Sequence, residues 1–310
     1  MAEEKKYLYG PVPSRRMGRS LGIDIVPFKV CTLDCVYCQL GGTTQKTLQR
    51  GDFIPVEAVL AELKDKLAEG LEADFITIGG SGEPTLNCRL GELVDGIKKI
   101  TNIPVAILTN GTLLNRLDVR ADCAKADVVL PSLDAGDEKS FQRINRPHPE
   151  LNIEELISGL CTFRKGFTGL IWLEVFIIEG FNTDNEQIAK IRDAINRIRP
   201  DKVQLNTAVR PTAEPDIRSL DAEKLQAIAE KLGENCEVIA DFALPQQDGH
   251  FEVKAEDVLS MLKRRPCSLS DICSALGMSR NEALKCIAFL QQQGVIDSEK
   301  KGGITFFKAN

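Results

Sequence analysis

Histidine is nearly absent from this chain: His148 and His250 are the only two in 310 residues. A structural zinc centre closes its tetrahedron with four Cys or His side chains at recognisable spacing, so any zinc site here would have to rest on cysteine. Apolar runs long enough to span a bilayer are also missing. The opening residues, Met-Ala-Glu-Glu-Lys-Lys-Tyr, lack the apolar stretch of a secretory signal. The expectation is a cytoplasmic protein with no membrane partner. Repeats and low-complexity tracts are absent too. Excess positive charge is lacking: a net charge of −6 argues against a surface that grips nucleic acid throughout. Only the tail leans basic, with nine Lys/Arg against seven Asp/Glu from Gly249 onward.

Cysteine is plentiful. Ten cysteines without a secretory signal point to metal or redox chemistry rather than a disulfide framework. Cys31, Cys35 and Cys38 stand in the stretch Lys29-Val-Cys-Thr-Leu-Asp-Cys-Val-Tyr-Cys-Gln, a C-x3-C-x2-C spacing. Three close thiolates hold a metal centre firmly and leave one coordination position open. Iron–sulfur clusters take Cys thiolates, usually four, and no fourth ligand is near; the next cysteine is Cys88. A four-iron cluster with one open iron is favoured, and a zinc-bound structural protein is the weaker alternative. The remaining cysteines, including Cys123, Cys161 and Cys236, are scattered without ligand spacing and read as small buried apolar side chains.

Along the chain, short β-branched runs alternate with longer amphipathic stretches. Strands are expected at Ile23–Val26, Phe75–Ile78, Val105–Leu108, Val128–Leu130, Ile171–Ile178 and Val203–Leu205. Helical periodicity covers Val56–Ala68, Leu90–Ile100, Ile153–Arg164, Asp184–Ile198 and Ala222–Leu232, with Asn152 and Asp221 as caps. Strand–helix alternation means parallel strands joined by helical crossovers. The fold expected is α/β: a partial (β/α)6 TIM-like barrel, with a small C-terminal winged-helix domain. The unusual residues follow the strands, where a β/α barrel builds its active site. They are the Cys loop, Gly79–Thr85, Thr109–Thr112, Ser132–Asp134, Glu179–Asn182 and Asn206-Thr207. A Pro/Gly/Gln stretch near residues 243–252 separates a body, residues 1–245, from a tail, residues 253–310. The tail reads as three short helices and a hairpin turning at Gly302-Gly303. Glu174 sits inside an apolar strand, where a carboxylate needs a partner or a ligand. An ion pair with an Arg inside the barrel is the alternative.

At the Cys triad, with Tyr37 as the aromatic before the third Cys, the chain resembles the radical S-adenosylmethionine (SAM) enzymes. The resemblance implies a [4Fe–4S] cluster on Cys31, Cys35 and Cys38, with SAM chelated at the open iron. Reductive cleavage of SAM would give a 5′-deoxyadenosyl radical that abstracts hydrogen from a substrate. Ser81-Gly82-Glu83-Pro84 resembles the family's second motif, which meets the methionyl ammonium of SAM. Asn110, Ser132 and Asp134 stand where the family places groups for the ribose hydroxyls and the SAM carboxylate. Glu174 and Asn206 join this cofactor-binding set, Asn206 where backbone often reads adenine. Gly10–Ile23, with Ser-Gly-Glu-Pro-Thr-Leu and the tail, resembles a group of iron–sulfur oxidoreductases related to the enzyme that builds the wybutosine base of tRNA. On that resemblance Arg15, Arg16 and Arg19 would lie near the cluster loop and bind a carboxylate or phosphate of the substrate.

The chain departs from the wybutosine enzyme in lacking any Cys before Cys31, which puts a second cluster and that enzyme's reaction in doubt. The substrate implied is open, a nucleic-acid base or a small metabolite, and the electron donor implied is a small ferredoxin or flavodoxin. The third helix of the tail carries Arg280 and Lys285 against Glu282, with Lys300 and Lys301 in the hairpin. Nucleic acid is therefore one possible partner of the tail, and a protein-interaction or lid module over the barrel mouth is the alternative. The alternative function is a redox- or SAM-responsive regulator that binds nucleic acid through it.

Overall fold

Leu8–Ser14 contains Gly10, Pro11 and Pro13, poor company for a strand, yet it forms strand β1. It can do so because it lies at the edge of a sheet, where missing ladder donors are tolerated. In this computed structural model the described residues are 7–14, 16–240, 255–276, 278 and 280–310. The expected boundary at 243–252 and Arg15 lie outside them. β1 pairs antiparallel with β2 (Gly18–Asp24), which begins at Gly18 rather than Ile23. A two-residue parallel ladder follows, β3 (Val30–Cys31) with β4 (Gln45–Lys46).

The body then runs α1 (Val56–Ala68), β5 (Phe75–Gly79), α2 (Leu90–Ile100), β6 (Val105–Thr109) and α3 (Leu117–Cys123). It continues with β7 (Val128–Pro131), α4 (Glu138–Asn145), α5 (Ile153–Gly166) and β8 (Leu170–Ile177). It ends with α6 (Asn185–Ile198), β9 (Lys202–Thr207), α7 (Ala222–Leu232) and β10 (Cys236–Val238). Helix starts follow capping chemistry: Asn152, Asp184 and Asp221 each accept the backbone N–H three residues on.

The main sheet has the order β1-β2-β5-β6-β7-β8-β9-β10, parallel throughout except for β1. Spatial order follows chain order, so right-handed crossovers place the helices on one face. Strand alternation sorts the side chains accordingly. On β8, Ile171, Leu173, Val175 and Ile177 join the large core beneath the helices. Trp172, Glu174 and Phe176 point to the other face. There Trp172 packs with Met17, Ala106, Val128 and Leu130, and Phe176 packs with Val36, Ile144 and Ala208. The result is an α/β fold with a mostly parallel central sheet. No helix among the described residues is long and apolar enough to cross a membrane.

The tail comprises α8 (Ala255–Leu262), β11 (Cys267–Ser268), α9 (Leu269–Leu276), α10 (Arg280–Gln292), β12 (Ile296–Lys301) and β13 (Ile304–Ala309). Its strands form a small antiparallel sheet, β11-β13-β12, and its apolar residues form a core of their own. It touches the body in two regions. Beside β1 and β2, Arg264 pairs with Asp24 at 3.1 Å and stacks 3.6 Å over the Tyr9 ring, while Val12 packs on the tail's core. Beyond β9, the buried Arg210 pairs with Asp271 at 3.0 Å, and Lys301 Nζ donates to the Arg210 and Ile217 carbonyls.

Candidate functional site

The Cys triad occupies the segment leaving the C-terminal end of β2. Its three cysteines are free, and each residue is half-buried. Two loops dock on each other by reciprocal backbone bonds. The Lys29 N–H donates to the Ser81 carbonyl at 2.6 Å, and the Glu83 N–H donates to the Val30 carbonyl at 3.0 Å. That approach dictates glycine at position 82, where a Cβ would overlap the Val30 carbonyl oxygen. From the other side, the Asp34 and Val36 N–H groups donate to the Asn145 and Ile144 carbonyls at the end of α4.

Each thiol receives one nitrogen donor from a different side chain. Asn110 Nδ2 lies 3.5 Å from Cys31 Sγ, Asn145 Nδ2 lies 3.4 Å from Cys35 Sγ, and Lys29 Nζ lies 3.0 Å from Cys38 Sγ. Burial pushes the Cys31 thiol up to about 12, against a lesser opposing pull from Lys29. Burial likewise holds Cys35 well above its ordinary value, and the Asp134 carboxylate adds to that shift. Buried thiols of this kind become ligands only when positive charge arrives with the metal. Among the described residues no three His, Cys, Asp or Glu side chains close around a point as they would on a single ion. Thiols spread along a loop and met by N–H donors suit a larger cluster, whose sulfurs accept such bonds.

Glu83 is 2% exposed, and its carboxylate is already engaged. Oε1 accepts from the Thr85 N–H, Thr85 Oγ1 and Thr109 Oγ1, and Oε2 accepts from the Asn110 N–H at 2.7 Å. It caps the short 3-10 helix Pro84–Leu86. Burial raises its pKa, and those four donors work against the rise. Asn110 links this strut to the triad, since its Nδ2 also donates to Thr32 Oγ1 at 2.8 Å. Ser81 donates through both N–H and Oγ to Asp24, the residue that pairs with Arg264 of the tail.

Tyr37 stacks on Phe176 with ring centroids 4.0 Å apart, and its hydroxyl donates to Asp134 at 2.5 Å. Asp134 also accepts from Asn145 Nδ2 and the Phe176 N–H. Burial raises its carboxyl to about 6 despite these donors. Asn110, Ser132, Asp134 and Asn145 line one cavity of about 10 Å³, the space of a single water molecule. Ser132 bridges to Glu174 across β7 and β8. Glu174 accepts from Asn206 Nδ2 and pairs with Arg16, both at 2.9 Å.

The arginines require a correction. The expectation placed Arg16 and Arg19 near the cluster loop. The β1–β2 turn lies at the N-terminal end of β2, and the Cys loop leaves the opposite end. Arg19 pairs there with Glu72 and Asp74, which precede β5. Arg16 instead enters the inner face and supplies the ion pair weighed for Glu174. Sequence reading missed Lys29, Asn145 and Asp24. Asn145 lies on α4, a helix too short for its periodicity to register, and Lys29 carries no local signal at all.

Residues 25–195 match the family described as the radical SAM superfamily. A protein of Brachyspira hyodysenteriae called GTPase Obg is 35% identical over 308 residues, 98% of this chain and 45% of its own length. The chain thus spans about half of that relative. A UPF0026 protein of Helicobacter pylori J99 is 30% identical over 316 residues, covering 100% of each chain. In three dimensions the chain is similar to Streptococcus suis SuiB, whose crystal structure holds S-adenosylmethionine. The TM-score is 0.54 at 18% identity, over 71% of this chain and 50% of that one.

Proposed function

The chain belongs to the radical SAM superfamily, and from that premise we propose an enzyme that holds a [4Fe–4S] cluster on Cys31, Cys35 and Cys38 and binds SAM beside it. When bound and reduced, the cluster supplies the electron that cleaves SAM to methionine and a 5′-deoxyadenosyl radical, which takes hydrogen from a substrate. One observation carries the reading. The Cys loop, the Ser81–Glu83 turn and Asn110 meet at the C-terminal ends of β2, β5 and β6, joined by the backbone bonds and N–H···S contacts described above.

Within that reading the residues divide their work. Lys29, Asn110 and Asn145 donate to the three sulfurs. Glu83 and the Ser81–Asp24 bonds hold the motif in shape, which leaves the Gly82 backbone as the part of the turn presented to SAM. Tyr37, stacked on Phe176 and bonded to Asp134, braces the wall behind the cluster. Ser132, Glu174 and Asn206 line the inner face where the rest of SAM would lie.

The sheet is read as a partial (β/α)6 barrel spanning residues 1–245, and the tail, 253–310, as a winged-helix-like unit. Arg264 and Arg210 seat that unit on regions next to the first strands and beyond β9. Leu284, Phe289 and Ile304 are exposed apolar side chains of the tail, groups that suit contact with a protein better than with phosphates. The substrate proposed is a nucleic-acid base or a small metabolite, in keeping with the resemblance to the wybutosine enzyme. A ferredoxin or flavodoxin would deliver the electron.

The test is anaerobic reconstitution with iron and sulfide, addition of SAM and dithionite, and chromatographic measurement of 5′-deoxyadenosine. Formation in the wild type and its loss in Cys35→Ala are expected. Undiminished formation by that variant would remove the Cys triad from the chemistry.

A further inference from the structure

We infer that Lys29 is a positioning residue that sets the reduction potential of the cluster on Cys31, Cys35 and Cys38; the inference rests on the cluster assignment proposed above. Lys29 is 3% exposed, and lysine is almost never that buried unless it is paired. Among the described residues it pairs with no carboxylate. Its ammonium donates to Cys38 Sγ at 3.0 Å.

The backbone shows that this placement is enforced. Lys29 adopts φ 58°, the left-handed region that disfavours a residue with a Cβ. Three partners hold it there: its N–H donates to the Ser81 carbonyl, and its carbonyl accepts from the Thr44 and Gln45 N–H groups. Glycine would meet the backbone requirement without strain, so what lysine adds is the side chain.

Charge explains what that side chain does. Asn110 and Asn145 serve Cys31 and Cys35 as neutral amides, at longer range. The buried carboxylates of Glu83 and Asp134 act on Cys31 and Cys35 with negative charge. Lys29 is the cation that touches a ligand sulfur. One-electron reduction adds negative charge to the cluster, and a fixed ammonium at a ligand sulfur favours that state. Hydrogen bonds to sulfur and local charge are among the levers that set cluster potentials.

The experiment is a mediated redox titration of the reconstituted cluster in the wild type, Lys29→Gln and Lys29→Met, followed by the electron paramagnetic resonance of the reduced cluster. Iron and sulfide content and circular dichroism are measured on the same samples. Lys29→Gln removes the charge and keeps an N–H donor, and Lys29→Met removes both. We expect all three proteins to load the cluster, with midpoints falling in the order wild type, Lys29→Gln, Lys29→Met. For Lys29→Met the expected change is at least tenfold in the redox equilibrium, about 59 mV for one electron. Equal midpoints in fully loaded proteins would overturn the inference and leave the cluster assignment standing. A folded Lys29→Met that loads no cluster would also overturn it, because the lysine would then act in assembly. A wild type that takes up no iron and sulfide would instead bring down the cluster assignment, and this inference with it.

Discussion

Glycine 82 and Asp134 show how single residues constrain the site. Gly82 lies against the Val30 carbonyl, so Gly82→Ala must push the two docked loops apart. Overpacking of this kind costs about 1–3 kcal/mol. The expected outcome is a lower urea midpoint together with reduced iron per chain after reconstitution. Asp134 sets a pH dependence. Burial raises its carboxyl from 3.8 to about 6, so the folded protein binds the proton more tightly than the unfolded chain. Its contribution is therefore fully present below about pH 4 and is lost as pH rises through 6, roughly 3 kcal/mol in all. Asn mimics the protonated acid. Urea unfolding of the cluster-free protein should show Asp134→Asn gaining on the wild type by about that amount between pH 4 and pH 7. A pH-independent difference would mean that Asp134 is ionised throughout.

At the scale of elements, the β1–β2 hairpin does something its composition does not announce. Its turn brings Met17, 3% exposed, against Ala106, Val128, Leu130 and Trp172 on the inner face, and it carries Arg16 to Glu174. The hairpin thus plugs the end of the sheet opposite the Cys loop. Met17→Ala should cost about 2–5 kcal/mol by creating a cavity, with cluster content unchanged because the site lies at the other end. Loss of iron in step with stability would contradict that separation. The strands and helices of the body were largely legible: the helices Val56–Ala68, Leu90–Ile100 and Ala222–Leu232 coincide with their apolar period, and Asn152 and Asp221 cap as read. β1 was not legible, because its prolines argue against a strand until its place at an edge is known. α3 and α4 are too short for periodicity to register.

Across the whole molecule, the tail is fastened by charge. Arg210 and Asp271 are both buried. Burial alone would raise the Asp271 carboxyl, but the Arg210 guanidinium and the Ser268 donors outweigh it and hold the group below its ordinary value. The pair's contribution is thus present above pH 4 and is lost as pH falls below it. Arg210→Met strands a buried carboxylate and should cost about 3–5 kcal/mol, read as faster amide exchange in α9 than in β6. Arg210→Met combined with Asp271→Leu should recover much of that loss, since a packed apolar pair avoids desolvating two charges. At the other seam, Arg264 holds Asp24, which holds Ser81. Arg264→Met is expected to weaken SAM binding several-fold in equilibrium dialysis while the cluster loads normally.

By itself the sequence determined the spacing of the three thiols, the alternation of strands and helices, and the order in which unusual residues follow strands. These are local properties, carried by short-range periodicity and by the chemistry of individual side chains. Only the tertiary structure decided that β2 begins at Gly18, which sets the arginines and the Cys loop at opposite ends of one strand, because pairing with β5 and not local periodicity fixes where that strand starts. It alone brought Lys29, Asn110 and Asn145 to three different sulfurs, and turned Glu83 inward as a strut. Such contacts join residues as much as 110 positions apart. They exist because parallel strands carried by helical crossovers bring the ends of distant segments to the same edge.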